Sequence, residues 1–314
     1  MTHLKHSKHF KTNNVEFNLF SFMRDEIIIQ RKQGHYRRSE TYLSAMNSLK
    51  HFADEKHIKI KTINSNIIIE YEDYLRRKGI SANSSSFYMR NLRAIYNKAV
   101  DKNLIKQEYP FKRVYTGIGK TIKRALQIDE IRRIKEINLE YDENLKFARD
   151  MFMFAFYTRG MSFVDMAYLE KRNLQHGVLS YRRKKTDQLL VIHWEKCMQQ
   201  ILDKYNNTTS KYLLPIINNC NNIENERKQY IQMSAKINRY LKHIGDLLSI
   251  SIPLTMYVAR HTWASIAKSK HIPISIISDA LGHDSESTTQ IYISSLDNQR
   301  IDNANRKILR MFKK

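Results

Sequence analysis

Residues 281–292 read LGHDSESTTQIY, and this stretch contains the strongest local signals in the chain. Gly282 ends an apolar run of helical period, which predicts a helix that closes on a left-handed glycine. A polar segment follows it and can start a second helix, which would carry Tyr292. The pattern therefore predicts two consecutive helices with His283 in the turn between them.

The stretch YVARHTWASIAKS, residues 257–269, lies just before this pair and contains one arginine among small and apolar residues. Arg260 would lie in the middle of a helix, where burial of its charge is costly without a partner. A phosphate group could be that partner, and so could a buried Asp or Glu. The sequence leaves both alternatives open.

Further upstream, apolar residues lie on both sides of a basic turn in residues 178–192, which predicts a β-hairpin. Asp187 fits the turn because aspartate tolerates unusual backbone angles. Like charges repel, so a run of cations at such a turn either contacts phosphates or forms a solvated tip. The run consists of Arg182, Arg183, Lys184 and Lys185.

The stretch YTRGMSFVDMAYL, residues 157–169, offers a further phosphate ligand. Arg159 and Ser162 are three positions apart and would share one face of a helix. The planar fork of Arg159 could bind two phosphate oxygens. A surface salt bridge to Asp165 or another acid is the alternative.

The charge balance points to a polyanionic partner. The 314 residues include 54 Lys and Arg against 31 Asp and Glu, a net charge of +23, and nucleic acid is the usual partner for such an excess. An acidic membrane surface is the alternative, but no apolar run approaches the ~20 residues that span a bilayer, and the N-terminus lacks a signal-peptide pattern. We expect a cytoplasmic, DNA-associated bacterial protein.

Cysteines and histidines give little sign of a metal site. Cys197 and Cys220 are not in a C-x-x-C pair, and we interpret them as buried or incidental thiols. We interpret His3, His6 and His9 as part of a flexible basic arm rather than a metal site.

Helical periodicity dominates the chain and is interrupted after Pro110 by the basic, glycine-containing stretch RVYTGIGKTIKRAL. The break predicts a basic arm (1–14), a helical domain (15–107), a linker (108–123) and a second domain with a C-terminal tail (124–314). Four helices are predicted in the first domain. The apolar face of the first contains Phe17, Phe20, Ile27 and Ile28, and that of the second contains Tyr42, Met46, Leu49 and Phe52. The third covers residues 67–75 and is closed by Gly79, and the fourth is capped by Ser81 or Asn83.

The second domain is predicted to contain helices over about 128–137 and 144–157, the hairpin, and a loop over the polar residues 206–222. Pro273 fits the first turn of the helix that Gly282 closes, and Asp284 or Ser285 begins the helix of Tyr292.

The fourth predicted helix contains YMRNLRAIYNKAV, residues 88–100, which mixes cations with apolar anchors. Such a helix could pack on one side and face phosphates on the other. We therefore expect Arg90, Arg93 and Lys98 to contact DNA, with an ordinary solvated face as the alternative.

Together these stretches resemble the tyrosine recombinase, or phage integrase, family. LGHDSESTTQIY is similar to the family's C-terminal box, in which Leu-Gly-His precedes Thr-Thr and the nucleophilic tyrosine. YVARHTWAS resembles its His-x-x-Arg box, RRKKT its lysine hairpin, and YTRGMSFVDMAYL its first arginine box. The boxes occur in family order, and residues 15–110 are similar to the helical core-binding domain. The resemblance implies a mainly α fold with a small antiparallel β-sheet, in which a helical core-binding (SAM-like) domain is joined to an α+β catalytic domain.

The resemblance also implies an enzyme, a site-specific recombinase that integrates, excises or inverts DNA. Tyr292 would attack a phosphodiester and form a 3′-phosphotyrosyl link. Arg260 and an arginine of the first box would hold the nonbridging oxygens. Lys185 would protonate the departing 5′ oxygen, and His283 would position or stabilise the same phosphate.

The sequence departs from the family pattern at two positions. Ser162 stands where the first box has its arginine, and Arg159 could substitute for it. Tyr257 stands where the histidine of His-x-x-Arg belongs. Similar deviations occur in a branch of the family associated with mobile elements and invertible DNA, so we interpret this chain as a member of that branch.

The resemblance implies no cofactor and no metal, because the phosphotyrosine conserves the bond energy. The implied partner is double-stranded DNA with specific recombination sites, bound by a monomer that assembles into a homotetramer on DNA. The tail after Ser294, with Ile301, Ile308 and Met311, could pack on a neighbouring protomer or dock on its own. Three alternatives stay open: a non-cleaving regulator of the same descent, a type IB topoisomerase, and an ordinary helix-turn-helix protein.

Overall fold

The computed structural model describes residues 18–53, 58–119, 124–205, 210–218, 222–294, 305–306, 308–309 and 311, without the side chains of 291–294. The chain splits into two compact units, Met1–Lys120 and Thr121–Lys314, called here the N-terminal and C-terminal units. The predictions for residues 1–14, Phe17, Cys220 and Ile301 lie outside the described residues.

Four α-helices and a short 3₁₀ helix at Ile60–Thr62 form the described part of the N-terminal unit. Polar side chains begin three of the four, because an oxygen at the cap accepts a backbone N–H that has no partner within the helix. The caps are Asn18, Asn64 and Ser81. The four helices are α1 (Leu19–Lys32), α2 (Tyr36–Phe52), α3 (Ser65–Arg77) and α4 (Ala82–Asp101).

Two predicted details of this unit are confirmed and one is wrong. Gly79 follows α3 with φ of 71°, a left-handed conformation that glycine adopts without strain, and Ser81 caps α4. Asn83 lies inside α4 instead, where its side-chain oxygen accepts the N–H of Gly119 at 2.7 Å. Ile28 is 51% exposed and is not part of the buried stripe of α1.

The C-terminal unit surrounds helix α6 with other helices and places a three-stranded antiparallel sheet beside them. Its core includes the apolar residues of α6 and the inward side chains of the sheet, among them Phe152, Phe154, Leu179 and Ile192. The helices are α5 (Ile128–Glu136), α6 (Glu143–Tyr157), α7 (Phe163–Ala167), α8 (Lys196–Lys204), α9 (Ile223–Leu247), α10 (Met256–Ser269), α11 (Ile274–Leu281) and α12 (Glu286–Ser294), with a 3₁₀ turn at Lys171–Asn173.

The predicted hairpin forms the larger part of the sheet. Strands β2 (Val178–Arg182) and β3 (Leu189–His193) pair antiparallel, and the short β1 (Leu174–Gln175) adds to β2. Asp187 has φ of 56° in the turn, as predicted for a residue that tolerates the left-handed region.

Other predictions for this unit are confirmed in part. The segment over 206–222, predicted as a polar loop, has no helix or strand in its described residues, but it places several apolar side chains in the core: Tyr212, Leu213, Leu214, Ile216 and Ile217. Pro273 precedes α11 as its cap instead of lying in the first turn, and Gly282 closes α11 with φ of 62°. Ser285, not Asp284, precedes α12 and accepts the N–H of Thr288. The fold is mainly helical with one small antiparallel sheet, as predicted.

Candidate phosphate-binding site

Arg260 is the best-defined cation of the C-terminal unit. It lies in the middle of α10 with 5% of its surface exposed. Its Nη1 donates to the Gly160 carbonyl at 2.9 Å, and its Nη2 donates to the Leu281 carbonyl and lies 3.2 Å from Nε2 of His283. These contacts hold the guanidinium rigidly, since they join α10 to the loop after α6 and to the end of α11.

Gly160 makes this position of Arg260 sterically feasible. A Cβ at residue 160 would lie 2.6 Å from Cα of Arg260, closer than real Cβ contacts. Gly160 also has φ of 72°, which L side chains rarely adopt. The glycine of the first box therefore gives Arg260 its room.

His283 lies at the turn between α11 and α12, as predicted, and is half-buried. Arginine can only donate, so Nε2 of His283 accepts from Arg260. Nδ1 then carries the hydrogen and donates to Oγ1 of Thr289 at 2.7 Å. Burial, followed by the charges of Arg260, Arg183 and Lys185, lowers the pKa of His283 to about 4. The imidazole is therefore neutral at pH 7.

The hairpin turn brings Lys185 to the same place. Lys185 is exposed and lies two residues after Arg183, which donates to the Gly282 carbonyl next to His283. The charge of Lys185 also contributes to lowering the pKa of His283. Arg182 is also exposed and forms an ion pair with Asp187 at 3.6 Å. Lys184 is exposed as well, and its Nζ lies 4.6 Å from the centre of the Tyr168 ring.

Arg183 is buried, unlike Arg182 and Lys184 on either side of it. Only 7% of it is exposed, and its Nη1 donates to the carbonyl of Gly282. Its Nε lies 3.9 Å from Oδ2 of Asp165. The reason is strand alternation: Leu179, Tyr181 and Arg183 are successive odd positions, and all three point inward.

Arg159 and Ser162 do not share a helix face, so that prediction is wrong. Helix α6 ends at Tyr157, and Arg159 is left-handed with φ of 61°. Its Nη1 donates to the Val191 carbonyl at 3.3 Å. Ser162 begins α7 and donates to Oδ2 of Asp165 at 2.6 Å.

The predicted salt bridge from Arg159 to Asp165 is absent from the described residues. Asp165 instead accepts the backbone N–H of Lys184 at 2.8 Å and lies beside Arg183. This carboxylate therefore connects the start of α7 to the hairpin turn, which fixes where the turn cations lie.

The remaining catalytic candidates are Tyr257 and Tyr292. Tyr257 lies one helical turn before Arg260 on α10, is 55% exposed, and packs its ring edge-on against His261 at 4.6 Å. Tyr292 belongs to α12, and its side chain lies outside the described part of the structure.

In the N-terminal unit, two of three predicted DNA contacts have other roles. Arg90 donates to Oγ of Ser86 and to the carbonyl of Gly117, both at 2.8 Å, and so fastens the segment after α4. Lys98 pairs at 2.9 Å with the buried carboxylate of Glu26. Only Arg93 of the three is exposed, although it also contacts Oγ1 of Thr116 at 3.2 Å.

Sequence reasoning missed several residues that build the site. Asp165 and Thr289 orient the hairpin and His283, and both are buried. Arg183 could have been found from the alternation that starts at Leu179, but Gly160 and Thr289 carry no comparable local signal.

A buried arginine, a neutral histidine and a lysine-bearing turn converge from elements far apart in the chain. Such a group of fixed donors and cations defines a class of site that binds and transfers phosphoryl groups. Residues 18–114 match the phage integrase SAM-like domain, and residues 124–299, more than half of the chain, match the phage integrase family. The chain therefore belongs to the phage integrase family.

Curated relatives and solved structures agree with this family. Tyrosine recombinase XerD of Pseudomonas aeruginosa is 20% identical over 263 residues, covering 81% of this chain and 85% of its own. Tyrosine recombinase XerA of Pyrococcus furiosus is 27% identical over 226 residues, covering 69% of this chain and 72% of its own. A lambda integrase dimer bound to a COC′ core site has the same fold, with a TM-score of 0.66 at 15% identity over 90% of this chain and 79% of that one.

The protein is thus a site-specific DNA recombinase, an enzyme that cleaves and rejoins DNA. This excludes the alternative of an ordinary helix-turn-helix protein. Within the described residues, no helix is long and apolar enough to cross a membrane.

Proposed function

We propose that the site performs strand transfer through Tyr292, with Arg260, His283 and Lys185 acting on the scissile phosphate. The observation that carries this proposal is the convergence of Arg260 and His283 at 3.2 Å, with Lys185 close enough to act on the same imidazole. Helix α12 begins three residues after His283 and carries Tyr292, which supports its role as the nucleophile.

The chemistry conserves bonds at each step. Oη of Tyr292 bonds to phosphorus while the bond to the 5′ oxygen breaks, the phenol loses its proton, and Lys185 supplies one to the departing oxygen. A 5′ hydroxyl from another strand then attacks the phosphotyrosine and restores a phosphodiester. The cycle therefore needs no external energy source.

The cations around the phosphate offset the free-energy cost of ionising Tyr292. A free tyrosine with a pKa near 10 is ionised to about one part in a thousand at pH 7, so full ionisation costs about 4 kcal/mol. Rigid cations around the phosphate offset this cost as negative charge develops. Neutral His283 accepts from Arg260 and donates to Thr289, so it positions the Arg260 guanidinium and adds no further charge to the pocket.

The proposed organisation keeps a core-binding domain over 15–107, a linker over 108–123 and a catalytic domain over 124–314. Arg93, Arg182 and Lys184 are exposed and are retained as DNA contacts. Arg90 and Lys98 are left out of the proposed contacts, since each has partners within the protein.

The proposed assembly is a homotetramer formed on DNA from monomers, each bound to a specific recombination site. Four strands must be exchanged between two duplexes, and one structure of similar fold is a lambda integrase tetramer bound to a Holliday junction. The tail supports the assembly, because Ile308, Leu309 and Met311 are each at least half exposed and could pack on a neighbour.

The decisive experiment uses duplex DNA from the flanks of the protein's own gene, nicked so that cleavage releases a short fragment and traps the product. Wild-type protein should form a covalent adduct on a denaturing gel. Tyr292→Phe should form none while giving the same shift on a native gel. Tyr141→Phe, which changes a 71% exposed tyrosine elsewhere, should match wild type.

Other outcomes would contradict this function. Binding without an adduct from wild-type protein would favour a non-cleaving regulator at that site. Relaxation of unrelated supercoiled plasmid, without exchange between two sites, would favour a topoisomerase.

A further inference from the structure

We propose that Arg183, and not Arg159, is the second phosphate-binding arginine of the catalytic site. This inference rests on the proposed function, because it assigns a partner to the same scissile phosphate. Ser162 stands where the first box of the family has its arginine, so another residue has to supply the second phosphate-binding arginine.

The first support is the position of the Arg183 charge. Arg183 donates to the carbonyl of Gly282, and Arg260 donates to the carbonyl of Leu281 and contacts His283, so both guanidinium groups lie at the same turn. The charges of both also lower the pKa of His283. A second buried guanidinium next to that of Arg260 is electrostatically costly in the free protein. Asp165, 3.9 Å from Nε of Arg183, compensates one of the two charges, and a bound phosphate would compensate the other.

The second support is how Arg183 is held. Its Cδ lies 2.6 Å from where a Cβ on Gly282 would stand, so the glycine of Leu-Gly-His gives Arg183 its room, as Gly160 does for Arg260. Nη1 donates to the Gly282 carbonyl, and Asp165 lies 3.9 Å from Nε. Each of the two buried arginines thus lies against a left-handed glycine and donates to a backbone carbonyl.

The third support is unused hydrogen-bonding capacity. Nε of Arg183 is buried and makes no hydrogen bond to the side chains and backbone that the structure describes. A guanidinium has five N–H donors in a planar fork that matches two phosphate oxygens. Arg183 therefore keeps donors for a ligand while its position is fixed.

Ser162 is consistent with this assignment. It begins α7 and bonds to Asp165, the same carboxylate that lies beside Arg183. Arg159, by contrast, is left-handed and donates to the carbonyl of Val191 on β3. Asp165, the carboxylate that would orient an arginine in this part of the site, therefore lies beside Arg183 and not beside Arg159.

The test compares Arg183→Gln, Arg183→Lys and Arg159→Gln with wild type on the nicked substrate, using Arg172→Gln as a matched control at a side chain that is 80% exposed. Each protein also receives a substrate whose scissile phosphate is a methylphosphonate. This group lacks the negative charge, so it should not need the arginine that neutralises it. Arg260→Gln serves as the reference for a residue that binds the phosphate.

We expect Arg183→Gln to slow cleavage of the phosphodiester by about 10²–10³-fold, the usual loss for a charged donor at such a site. On the methylphosphonate, Arg183→Gln should come within about tenfold of wild type. Arg183→Lys should be slowed less than Arg183→Gln, since it keeps the charge but loses the fork. Arg159→Gln should lose less than about tenfold on either substrate.

Several results would overturn the assignment. The assignment fails if Arg183→Gln cleaves the phosphodiester like wild type, or if its defect is equal on both substrates. Rescue confined to Arg159→Gln would transfer the role to that residue, and unfolding of both Arg183 variants by circular dichroism would make Arg183 structural. If wild type forms no adduct, the proposed function itself fails, which is distinct from wild-type cleavage with an unimpaired Arg183→Gln.

Discussion

At the residue scale, neighbouring cations of the hairpin have opposite environments. Arg183 is buried and Lys185 is exposed, although only one residue separates them. Arg183 continues the inward face of β2, whereas Lys185 lies beyond the strand in the turn. A charge can remain buried only where carbonyls, carboxylates or a ligand compensate for lost water, so the two residues have different tasks.

The close approach of Gly160 to Arg260 leads to a prediction at this scale. Gly160→Ala should lower the free energy of unfolding by about 1–3 kcal/mol more than Gly177→Ala, because it adds a steric overlap to the backbone strain. Both glycines are left-handed, but a Cβ at residue 177 meets nothing within 4 Å. Urea unfolding measures the difference, and only Gly160→Ala should also slow adduct formation. Equal losses would show that Arg260 is not confined by this glycine.

At the element scale, helix α4 packs its lysine end on α1 through a buried charge. Glu26 has 2% of its side chain exposed and contacts Lys98 and Lys102 at 2.9 and 2.5 Å. Burial alone would raise the pKa of Glu26, but the bonds from Lys102 and Lys98 lower it below its usual value. The cationic end of α4 therefore stabilises the helical unit, while Arg93 remains exposed.

This division predicts opposite effects for two cations of the same helix. Lys98→Ala should reduce the free energy of unfolding by about 1–3 kcal/mol, because it leaves a buried carboxylate with one partner fewer. Its affinity for DNA should change little. Arg93→Ala should weaken DNA binding and reduce the salt dependence of binding by about one ion, with little loss of stability. Urea unfolding and gel shifts at several salt concentrations check both, and the reverse pattern would restore Lys98 as a DNA contact.

At the scale of the whole molecule, the net charge of +23 bears on DNA binding, and the exposed tail bears on the proposed assembly. The charge attracts any duplex, so affinity alone cannot report specific assembly. Apolar side chains in the tail are different, because Ile308 and Leu309 are each 54% exposed and gain by packing against another protein surface.

The tail predicts a defect confined to assembly. Changing Ile308 and Leu309 together to Asp should leave the single-site gel shift intact but reduce higher-order complexes on DNA with two sites. Mass photometry or native gels would measure this, with Ile223→Asp as a control at a 67% exposed isoleucine of the same unit. Normal tetramers from the double variant would show that the tail does not join protomers.

The sequence alone determined the helical class, the hairpin with Asp187 in its turn, the glycine ends of α3 and α11, and the position of His283 between two helices. These features depend on backbone preferences and periodicity among near neighbours, so they can be predicted without a fold. The tertiary structure decided which arginine is buried beside Arg260 and His283, and it gave Lys98 and Arg90 partners within the protein. The environment of each of these side chains depends on carbonyls, carboxylates and glycines from distant parts of the chain. A local sequence pattern cannot predict it, because these partners come together only in the folded protein.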